Sequence, residues 1–354
     1  YSTSRQRKAE CHPHEKLNSS RYFDVRLVGW VMLMVSVVPF LMEFKRTIDV
    51  VMSSGYFGLY QQEKLTGIDS LSGVLAGFFI PGLIFLIAGS RDMPLRRITM
   101  TLVVLVYSGL SIFLGLRSRG GYALISYAWL WDRLMVPLPK VLLAISGLIL
   151  LLVVFPSVKL IRNMSAVERL TGGYLLKAFL SLDNPVVAII SELGGSMGTI
   201  AHTLELVPSY RPFDLGGSYL YALLTVFPNL FWDVHPSIRR GTCSNWLVQT
   251  VAPATAAAGG GLGFSVIAEA YLNFSWVGVP LVMAMIGFLV GRTVRWVYSS
   301  PDPARVALVA CVLPWLLALA RAETTDIVRG IVWGGLSPYF AVKVIRWLMK
   351  KRQD

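Results

Sequence analysis

Residues 268–290 read AEAYLNFSWVGVPLVMAMIGFLV and carry a single charged side chain, that of Glu269. A helix of about 20 mostly apolar residues crosses the hydrocarbon core of a bilayer, which is about 30 Å thick. Lipid offers no hydrogen-bond partner to backbone groups, so an apolar run of this length is stable there as a helix. The stretch therefore predicts a transmembrane helix, and it decides the fold class.

Further apolar runs of similar character follow one another along the chain. The protein is 55% hydrophobic and only 15% charged, whereas soluble domains are about 25% charged. We therefore predict an all-α, polytopic transmembrane helix bundle with about eight spans. The predicted spans are Leu27–Met42, Leu71–Ala88, Ile98–Leu114, Tyr122–Trp131, Val141–Phe155, Ala268–Val290, Val306–Ala320 and Ile327–Ile345.

The basic residues predict which way the bundle faces. The net charge is +13, but the charges lie between apolar runs, which is typical of cytoplasmic loops and argues against a nucleic-acid partner. The basic loops 91–97, 132–140 and 291–305 alternate correctly to share one side with both termini. The predicted organisation is a basic cytoplasmic leader (1–26), spans one to five (27–155), a large periplasmic loop domain (156–264), spans six to eight (265–346) and a basic cytoplasmic tail (347–354).

The outer loop 156–264 is the only segment outside the spans that is long enough to be a domain. Its patterns predict amphipathic helices at Leu175–Leu182 and Val186–Leu206, the second starting at Asp183-Asn184-Pro185, where Asp or Asn caps and Pro fits the first turn. Polar residues recur on this second helix and predict either a face that lines a cavity or the wetted face of an interfacial helix. They are Glu192, Thr199, His202 and Glu205.

Arginines on the outer side are the strongest sign of chemistry. An arginine at or within a span is costly and therefore indicates function, although snorkelling to lipid phosphates is the alternative. The guanidinium fork suits phosphate oxygens, and carboxylates or histidine in a partly dry site act as general bases. Glycines around Arg117 and Arg119 predict a tight turn against another backbone. The sequence thus predicts a site for an anionic, lipid-linked substrate that loses a hydroxyl proton.

Motifs for metal or nucleotide chemistry are absent from the sequence. It has no HExxH, no CxxC pair, no GxSxG and no P-loop, so we expect neither a metal site nor a cofactor. Cys11, Cys243 and Cys311 are scattered and odd in number, which predicts no disulfide framework. The tract Cys11-His12-Pro13-His14 is more typical of a terminus than of a metal cluster.

Several short motifs follow in a fixed order between about residues 110 and 330. They include Leu116-Arg117-Ser118-Arg119-Gly120, Ser191-Glu192-Leu193-Gly194-Gly195-Ser196, Thr203, Val207-Pro208, Gly216-Gly217-Ser218-Tyr219, Phe227-Pro228, Gly260-Gly261-Leu262-Gly263-Phe264-Ser265, Ala268-Glu269-Ala270-Tyr271-Leu272-Asn273-Phe274, Trp276-Val277-Gly278 and the Arg321 turn. Together they resemble bacterial O-antigen and capsule repeat-unit polymerases of the Wzy type. These polymerases usually have more than eight spans, so we expect further spans upstream of Tyr1.

The resemblance implies a GT-C-like, O-antigen polymerase–ligase architecture in the bacterial inner membrane. It implies a glycosyltransferase that joins undecaprenyl-pyrophosphate-linked oligosaccharides on the periplasmic face without a metal, with the bilayer and a chain-length regulator protein as partners. Arginines would stabilise the leaving pyrophosphate in place of a metal. The expected pyrophosphate contacts are Arg117, Arg119, Arg211, Arg240, Arg321 and Arg329; the expected bases are Glu192 first, then Glu269, which is equally a structural partner for an arginine, and His202.

Three other functions remain open on the sequence. An O-antigen ligase would use the same arginines, although the Glu-Leu-Gly-Gly-Ser and Gly-Gly-Ser-Tyr patterns favour a polymerase. A lipid-linked oligosaccharide flippase or transporter predicts internal repeats and charges near the bilayer midplane, which the sequence lacks. A structural or assembly protein without catalysis is disfavoured by the many charged residues of the outer loop.

Overall fold

The computed structural model describes residues 19–61, 68–150, 152, 157, 162, 173, 180, 184–229 and 232–351. The Cys11–His14 tract, most of the leader and most of the helix expected at Leu175–Leu182 lie outside these residues. All regular elements within them are helical. They are α1 (Ser19–Ser54), α2 (Gly58–Gln61), α3 (Ile68–Ala76), α4 (Phe79–Gly89), α5 (Pro94–Phe113), α6 (Arg117–Leu134), α7 (Lys140–Ile149), α8 (Pro185–Leu206), α9 (Gly217–Leu224), α10 (Pro236–Arg240), α11 (Cys243–Val251), α12 (Pro253–Ala257), α13 (Val266–Tyr298), α14 (Pro303–Ala318), α15 (Thr324–Ile331), a π-helical turn (Val332–Leu336) and α16 (Ser337–Lys351).

The predicted all-α, polytopic bundle is confirmed. Within the described residues, four helical segments are long and apolar enough to cross a bilayer: Arg21–Ser54 in α1, Leu71–Gly89 through α3 and α4, α5, and α13. Two shorter apolar helices, α7 and α14, coincide with the predicted fifth and seventh spans. The predicted fourth span falls in α6 and the eighth in the run from α15 to α16. The number of spans stays a prediction.

Helix α4 forms the centre of the bundle. Its residues from Leu83 to Ala88 are at most 1% exposed, so every face of the helix is packed. An all-round apolar sequence, FIPGLIFLIAG, accounts for this position, since a helix without a polar face is stable only inside a core or in lipid. Helix α1 packs closest, because Gly29 has no side chain: a Cβ atom there would lie 2.5 Å from the Leu86 nitrogen.

Three other helices keep large apolar side chains on the outside. A soluble monomer rarely exposes apolar patches larger than a few hundred Å². These side chains lie on helices of spanning length or high hydropathy, so they face lipid. Examples are Ile98, Leu102 and Val106 on α5, Val141, Leu142 and Ile145 on α7, and Val277, Leu281 and Phe288 on α13.

Helix α13 is interrupted near its outer end. Ser275 has a φ of 58° and a ψ of −158°, which breaks the helical hydrogen-bond ladder. The carbonyl oxygens of Leu272 and Asn273 accept hydrogen bonds from the backbone N–H groups of Asp214 at 2.9 Å and Leu215 at 3.2 Å. The break therefore gives the outer loop two backbone anchors on a transmembrane helix.

The outer loop has a small core of its own. The helix predicted at Val186–Leu206 is α8, and the Asn184 side chain accepts a hydrogen bond from the Val187 nitrogen at 3.2 Å, as a helix cap does. Helices α8 and α11 pack on the first part of α13. The buried residues that they share are Val207, Cys243, Leu247, Phe264, Ala268, Tyr271 and Leu272.

An ion cluster ties the opposite end of the bundle. The Arg346 guanidinium of α16 lies 3.1 Å from Asp24 of α1 and 2.9 Å from Asp302, which precedes α14. Three elements that are distant in sequence therefore meet at the end that the basic loops predict to be cytoplasmic.

Candidate functional site

A cavity of about 870 Å³ lies where the spans meet the outer loop. Pockets for small molecules and cofactors span roughly 300–1,000 Å³, so this one is large enough for a substrate headgroup. Its walls combine residues of α1, α4, α5, α6, α14 and α15 with Thr225 and Ser237 of the outer loop. The charged and aromatic residues of the lining are Phe40, Glu43, Phe44, Phe79, Tyr107, Arg119, Tyr122, Trp315, Asp326, Arg329 and Trp333.

Two of the predicted arginines line this cavity together. Arg119 lies in the first turn of α6 and Arg329 in the last turn of α15, and both are exposed. The N-terminus of a helix carries a partial positive charge, which the side chain of Leu116 does not cap. Two arginines in that first turn, Arg117 and Arg119, add to the charge. A bound anion would stabilise this concentration of positive charge.

Glycines bring the two arginine-bearing helices into place. Gly115, with a φ of +86°, turns the chain into α6, and a Cβ at Gly120 would lie 2.7 Å from the Ser108 carbonyl oxygen of α5. The turn predicted against another backbone is therefore confirmed. A Cβ at Gly330 would meet the Trp315 indole at 2.1 Å, so α15 also sits directly on α14.

Arg162 is a basic residue that the sequence reasoning missed. Its Nε donates a hydrogen bond of 3.1 Å to the Gly115 carbonyl oxygen, and its guanidinium lies 4.1 Å from the centre of the Tyr56 ring. It thereby holds the turn that starts α6 and positions Arg117 and Arg119. The sequence feature that could have indicated Arg162 is a basic residue shortly after the predicted fifth span, on the predicted outer side.

Asp326 is one of two carboxylates that the structure adds to the cavity, the other being that of Glu43. Asp326 lies three residues before Arg329 on α15, so both side chains are on neighbouring positions of the helix surface. The Asp326 side chain is exposed, but the space that it faces is the cavity, whose other walls are formed by protein. Desolvation first, and then the nearby Glu323 and Glu269, raise the pKa of Asp326 to about 6. Its signal in the sequence was an acidic residue directly before the predicted eighth span.

Glu269, a predicted base, is fully buried rather than open to the cavity. Its Oε1 accepts a hydrogen bond of 2.7 Å from the Ser218 hydroxyl, and its Oε2 accepts from the Thr324 nitrogen at 2.7 Å and the Thr324 hydroxyl at 2.8 Å. The side-chain amide of Asn273 donates to the Ser218 hydroxyl at 2.7 Å. These partners are hydroxyl and amide groups, where the sequence reasoning allowed for an arginine. The carboxylate joins α9, α13 and the start of α15.

Glu323, which immediately precedes α15, also holds the start of that helix in place. Its carboxylate accepts hydrogen bonds from the Cys243 nitrogen at 2.7 Å and the Ser244 hydroxyl at 2.6 Å, and so caps α11. Burial first, and then the carboxylates of Glu269 and Glu323, raise the pKa of the Cys243 thiol. With both carboxylates bound, α15 starts at a defined point, and Asp326 and Arg329 follow within two turns.

The remaining predicted bases lie on α8. His202 is partly exposed, and its Nδ1 lies 3.7 Å from Glu205. Thr199, the polar residue three positions before it, is only 2% exposed, so the polar residues of this helix differ in environment. The side chain of Glu192 lies outside the described ones. The Arg321 guanidinium packs beside Gly195, three residues and about one helical turn from position 192.

Arg211 and Arg240 converge on one carboxylate, that of Asp214. Arg240 is hydrogen-bonded to its Oδ1, and the Arg211 Nη2 lies 3.7 Å away. The guanidinium groups lie over Trp246 and Tyr221, each 4.6 Å from a ring centre. Arg240 lines a second pocket, of about 540 Å³. The structure thus groups Arg119 with Arg329 and, separately, Arg211 with Arg240.

Comparison with known proteins identifies the family. The family model of the O-antigen polysaccharide polymerase Wzy matches residues 2–352, essentially the whole chain. No curated protein and no solved structure shows significant similarity. Members of the family are multi-pass membrane proteins that polymerise O-antigen repeat units, a glycosyltransferase-type reaction on lipid-linked oligosaccharides. With its apolar helical bundle and a match over essentially its whole length, the chain belongs to the O-antigen polysaccharide polymerase Wzy family.

Proposed function

We propose that this polymerase transfers a growing glycan from undecaprenyl pyrophosphate to an incoming repeat unit on a second undecaprenyl pyrophosphate, at the periplasmic face of the inner membrane. The observation that carries the proposal is the cavity that Arg119, Arg329 and Asp326 all line. It is bounded by apolar spans on one side and by the outer loop on the other, as a substrate with a lipid tail and a polar glycan requires.

The cationic groups of the cavity bind the donor diphosphate in this proposal. Arg119 and Arg329 contact its oxygens, the N-terminus of α6 adds backbone N–H groups, and Arg117 strengthens the local positive charge. Charge on the diphosphate grows as the glycosidic bond breaks, so fixed cations stabilise the transition state more than the ground state. In this proposal the arginines stabilise the growing charge in place of a metal ion. Arg211, Arg240 and Arg321 are proposed as further contacts to the substrate outside the cavity.

Asp326 serves as the general base in the proposed reaction. The acceptor hydroxyl oxygen attacks the anomeric carbon of the donor sugar, the bond from that carbon to the phosphate oxygen breaks, and its electron pair leaves with the diphosphate. The hydroxyl proton passes to the Asp326 carboxylate, which is ionised at pH 7 with a pKa of about 6. Glu269 holds α15 in place, and Glu192 and His202 are the alternative bases.

Two further parts of the proposal concern the setting of the enzyme. The chain lies in the inner membrane in this proposal, which the exposed apolar side chains of α5 and α13 support. A chain-length regulator protein is the proposed partner that sets how many repeats are added before the glycan is released.

The test is genetic and biochemical. In a strain that makes long-chain O-antigen, deletion of the gene should leave lipopolysaccharide with a single repeat unit. Complementation with Arg119→Ala or Arg329→Ala should fail to restore the ladder, with chain growth about 10²- to 10³-fold slower, the usual loss when one such donor is removed. Arg292→Ala is the matched control, since Arg292 is exposed at the opposite end of the bundle.

Other outcomes would contradict the proposal. Loss of all O-antigen on deletion would indicate a ligase or a flippase. A normal ladder from both arginine variants, with membrane levels equal to those of the control, would remove the cavity from the reaction.

A further inference from the structure

The second pocket has the surface chemistry of a saccharide site. It is about 540 Å³ in volume and is lined by Tyr221, Trp232, Asp233, Arg239 and Arg240, among others. Sugar rings present C–H groups that pack on the face of an aromatic ring, and hydroxyl pairs that bind carboxylate or guanidinium groups. Aromatic side chains with a few placed polar groups are also what ligand pockets commonly present.

The walls of this pocket are held in place from behind. The Trp232 ring lies edge-on to His235, with 5.1 Å between ring centres. His235 is buried, and its two ring nitrogens contact the Ser237 hydroxyl at 2.6 Å and the Phe227 carbonyl oxygen at 3.2 Å. Trp232 is therefore positioned by a fixed neighbour while remaining 36% exposed.

Arg240 has binding capacity left over. One nitrogen is bonded to Asp214 and the guanidinium covers Tyr221, but its Nη1 is buried and has no hydrogen-bond partner among the described residues. Burial of an unpaired charged donor is costly, and a small rotation of the guanidinium that turned this nitrogen toward a ligand hydroxyl or carboxylate would remove that cost. The guanidinium can lie here because Gly217 has no side chain: a Cβ there would be 2.8 Å from Nη2.

The pocket shares its wall with the diphosphate cavity. Helix α9 leads from Tyr221 in the pocket to Thr225 in the cavity, and α10 carries Ser237 in the cavity and Arg239 in the pocket. A glycan attached to a diphosphate in the cavity would reach the pocket across these two short helices.

We propose that this pocket binds the saccharide part of the substrate, with Trp232 packing on a sugar ring and Arg239 and Arg240 binding hydroxyl or sugar carboxylate oxygens. The proposal deepens the function proposed above and rests on it for the identity of the glycan. It assigns Arg240 to the saccharide, whereas the sequence reasoning assigned it to pyrophosphate.

The test measures binding of a glycan that has neither lipid nor diphosphate. The probe is the O-oligosaccharide released by mild acid from the lipopolysaccharide of the same strain, titrated into the full chain in nanodiscs by isothermal calorimetry. Trp232→Ala and Arg239→Ala should each weaken binding about tenfold, which corresponds to about 1.4 kcal/mol. Trp347→Ala and Arg292→Ala, two exposed residues of the predicted cytoplasmic side, are the matched controls and should bind as the wild type does.

The outcomes separate this inference from the proposed function. Arg119→Ala should slow chain growth about 10²- to 10³-fold and leave binding of the free glycan unchanged. If Arg119→Ala keeps chain growth while Trp232→Ala and Arg239→Ala still weaken glycan binding, the cavity proposal fails and the pocket stands. The saccharide site would be overturned if the wild-type protein did not bind the free glycan. It would also be overturned if Arg239→Ala bound the glycan as the wild type does, with an unchanged melting temperature. Arg239 is exposed, so its replacement does not endanger folding.

Discussion

Two carboxylates near Thr324 have opposite environments: Glu269 accepts its hydrogen bonds, and Asp326 follows it by two residues. Glu269 is completely buried, and hydrogen bonds from Ser218 and Thr324 occupy its oxygens. Asp326 is exposed to a cavity that also holds Arg119 and Arg329. A base must reach the proton that it removes, and a carboxylate saturated by structural donors cannot do so without breaking the fold. At the residue scale, accessibility therefore favours Asp326.

We predict that the ionisation of Asp326 controls the rate of chain growth. With a pKa of about 6, the carboxylate loses its capacity as a base as the pH falls through 6. The purified enzyme should therefore show an acid limb near pH 6 in the rate of repeat-unit addition, and Asp326→Asn should be about 10²-fold slower or worse, the size of effect usual for a general base. A wild-type rate in Asp326→Asn would exclude the assigned role.

The raised pKa of Asp326 also affects the stability of the folded chain. A carboxyl group whose pKa is raised from 3.8 to about 6 by folding binds protons more tightly in the folded chain. Ionisation of Asp326 therefore destabilises the fold, and this cost is present above pH 6 and disappears as the pH falls below it toward 4. Asp326→Asn should melt above the wild type at pH 8, with a difference that shrinks at pH 5. An equal difference at both pH values would contradict the shifted pKa.

At the scale of elements, close approach of helices depends on individual glycines. A Cβ atom at Gly29 of α1 would lie 2.5 Å from the Leu86 nitrogen and 2.8 Å from its Cα, so backbone meets backbone. A Cβ atom at Gly109 of α5 would have no neighbouring atom within 4 Å, because this glycine faces outward. The two positions are both mid-helix, and they differ in what surrounds them.

We predict opposite effects for alanine at these two glycines. Gly29→Ala should force α1 away from α4 and destabilise the chain by about 1–3 kcal/mol, the usual cost of overpacking. Gly109→Ala should be neutral or stabilising by up to about 1 kcal/mol, because alanine favours helices. Melting temperatures in detergent would show the difference. Equal melting temperatures would mean that α1 and α4 are not in backbone contact.

At the scale of the whole molecule, the proposed site requires the outer loop and the cavity to face the periplasm. Ser209 lies in the outer loop, and Ser299 lies beyond the end of α13; both are exposed. The basic loops place Ser299 in the cytoplasm by the positive-inside rule. The two positions therefore test the orientation of the whole bundle.

We predict that single cysteines at these serines report opposite sides. In a chain with Cys11 replaced by serine, Ser209→Cys should react with a membrane-impermeant maleimide in intact spheroplasts, whereas Ser299→Cys should react only after permeabilisation. The remaining Cys243 and Cys311 are buried and serve as the background. Labelling of Ser299→Cys alone in intact spheroplasts would reverse the orientation and remove the periplasmic site.

Apolar run length and charge placement were sufficient to predict the class of fold. The stretch 268–290 and its counterparts are too apolar to be exposed to water. A helix satisfies its own backbone hydrogen bonds, which lipid cannot do. Local chemistry also predicted the Asn184 cap, the α8 helix and the tight turn before Arg119. Each of these depends on residues that are close in sequence.

Only the tertiary structure decided which charged residues act together. Arg119 and Arg329 share a cavity because glycines at 120 and 330 let α6 and α15 pack closely on their neighbours. Glu269 is drawn inward by hydroxyls and amides more than 50 residues away. Sequence spacing shows which residues share a helix face, but the meeting of faces from different helices depends on packing. The sequence therefore determined the membrane bundle and its cationic outer side, and the packing of helices determined the site.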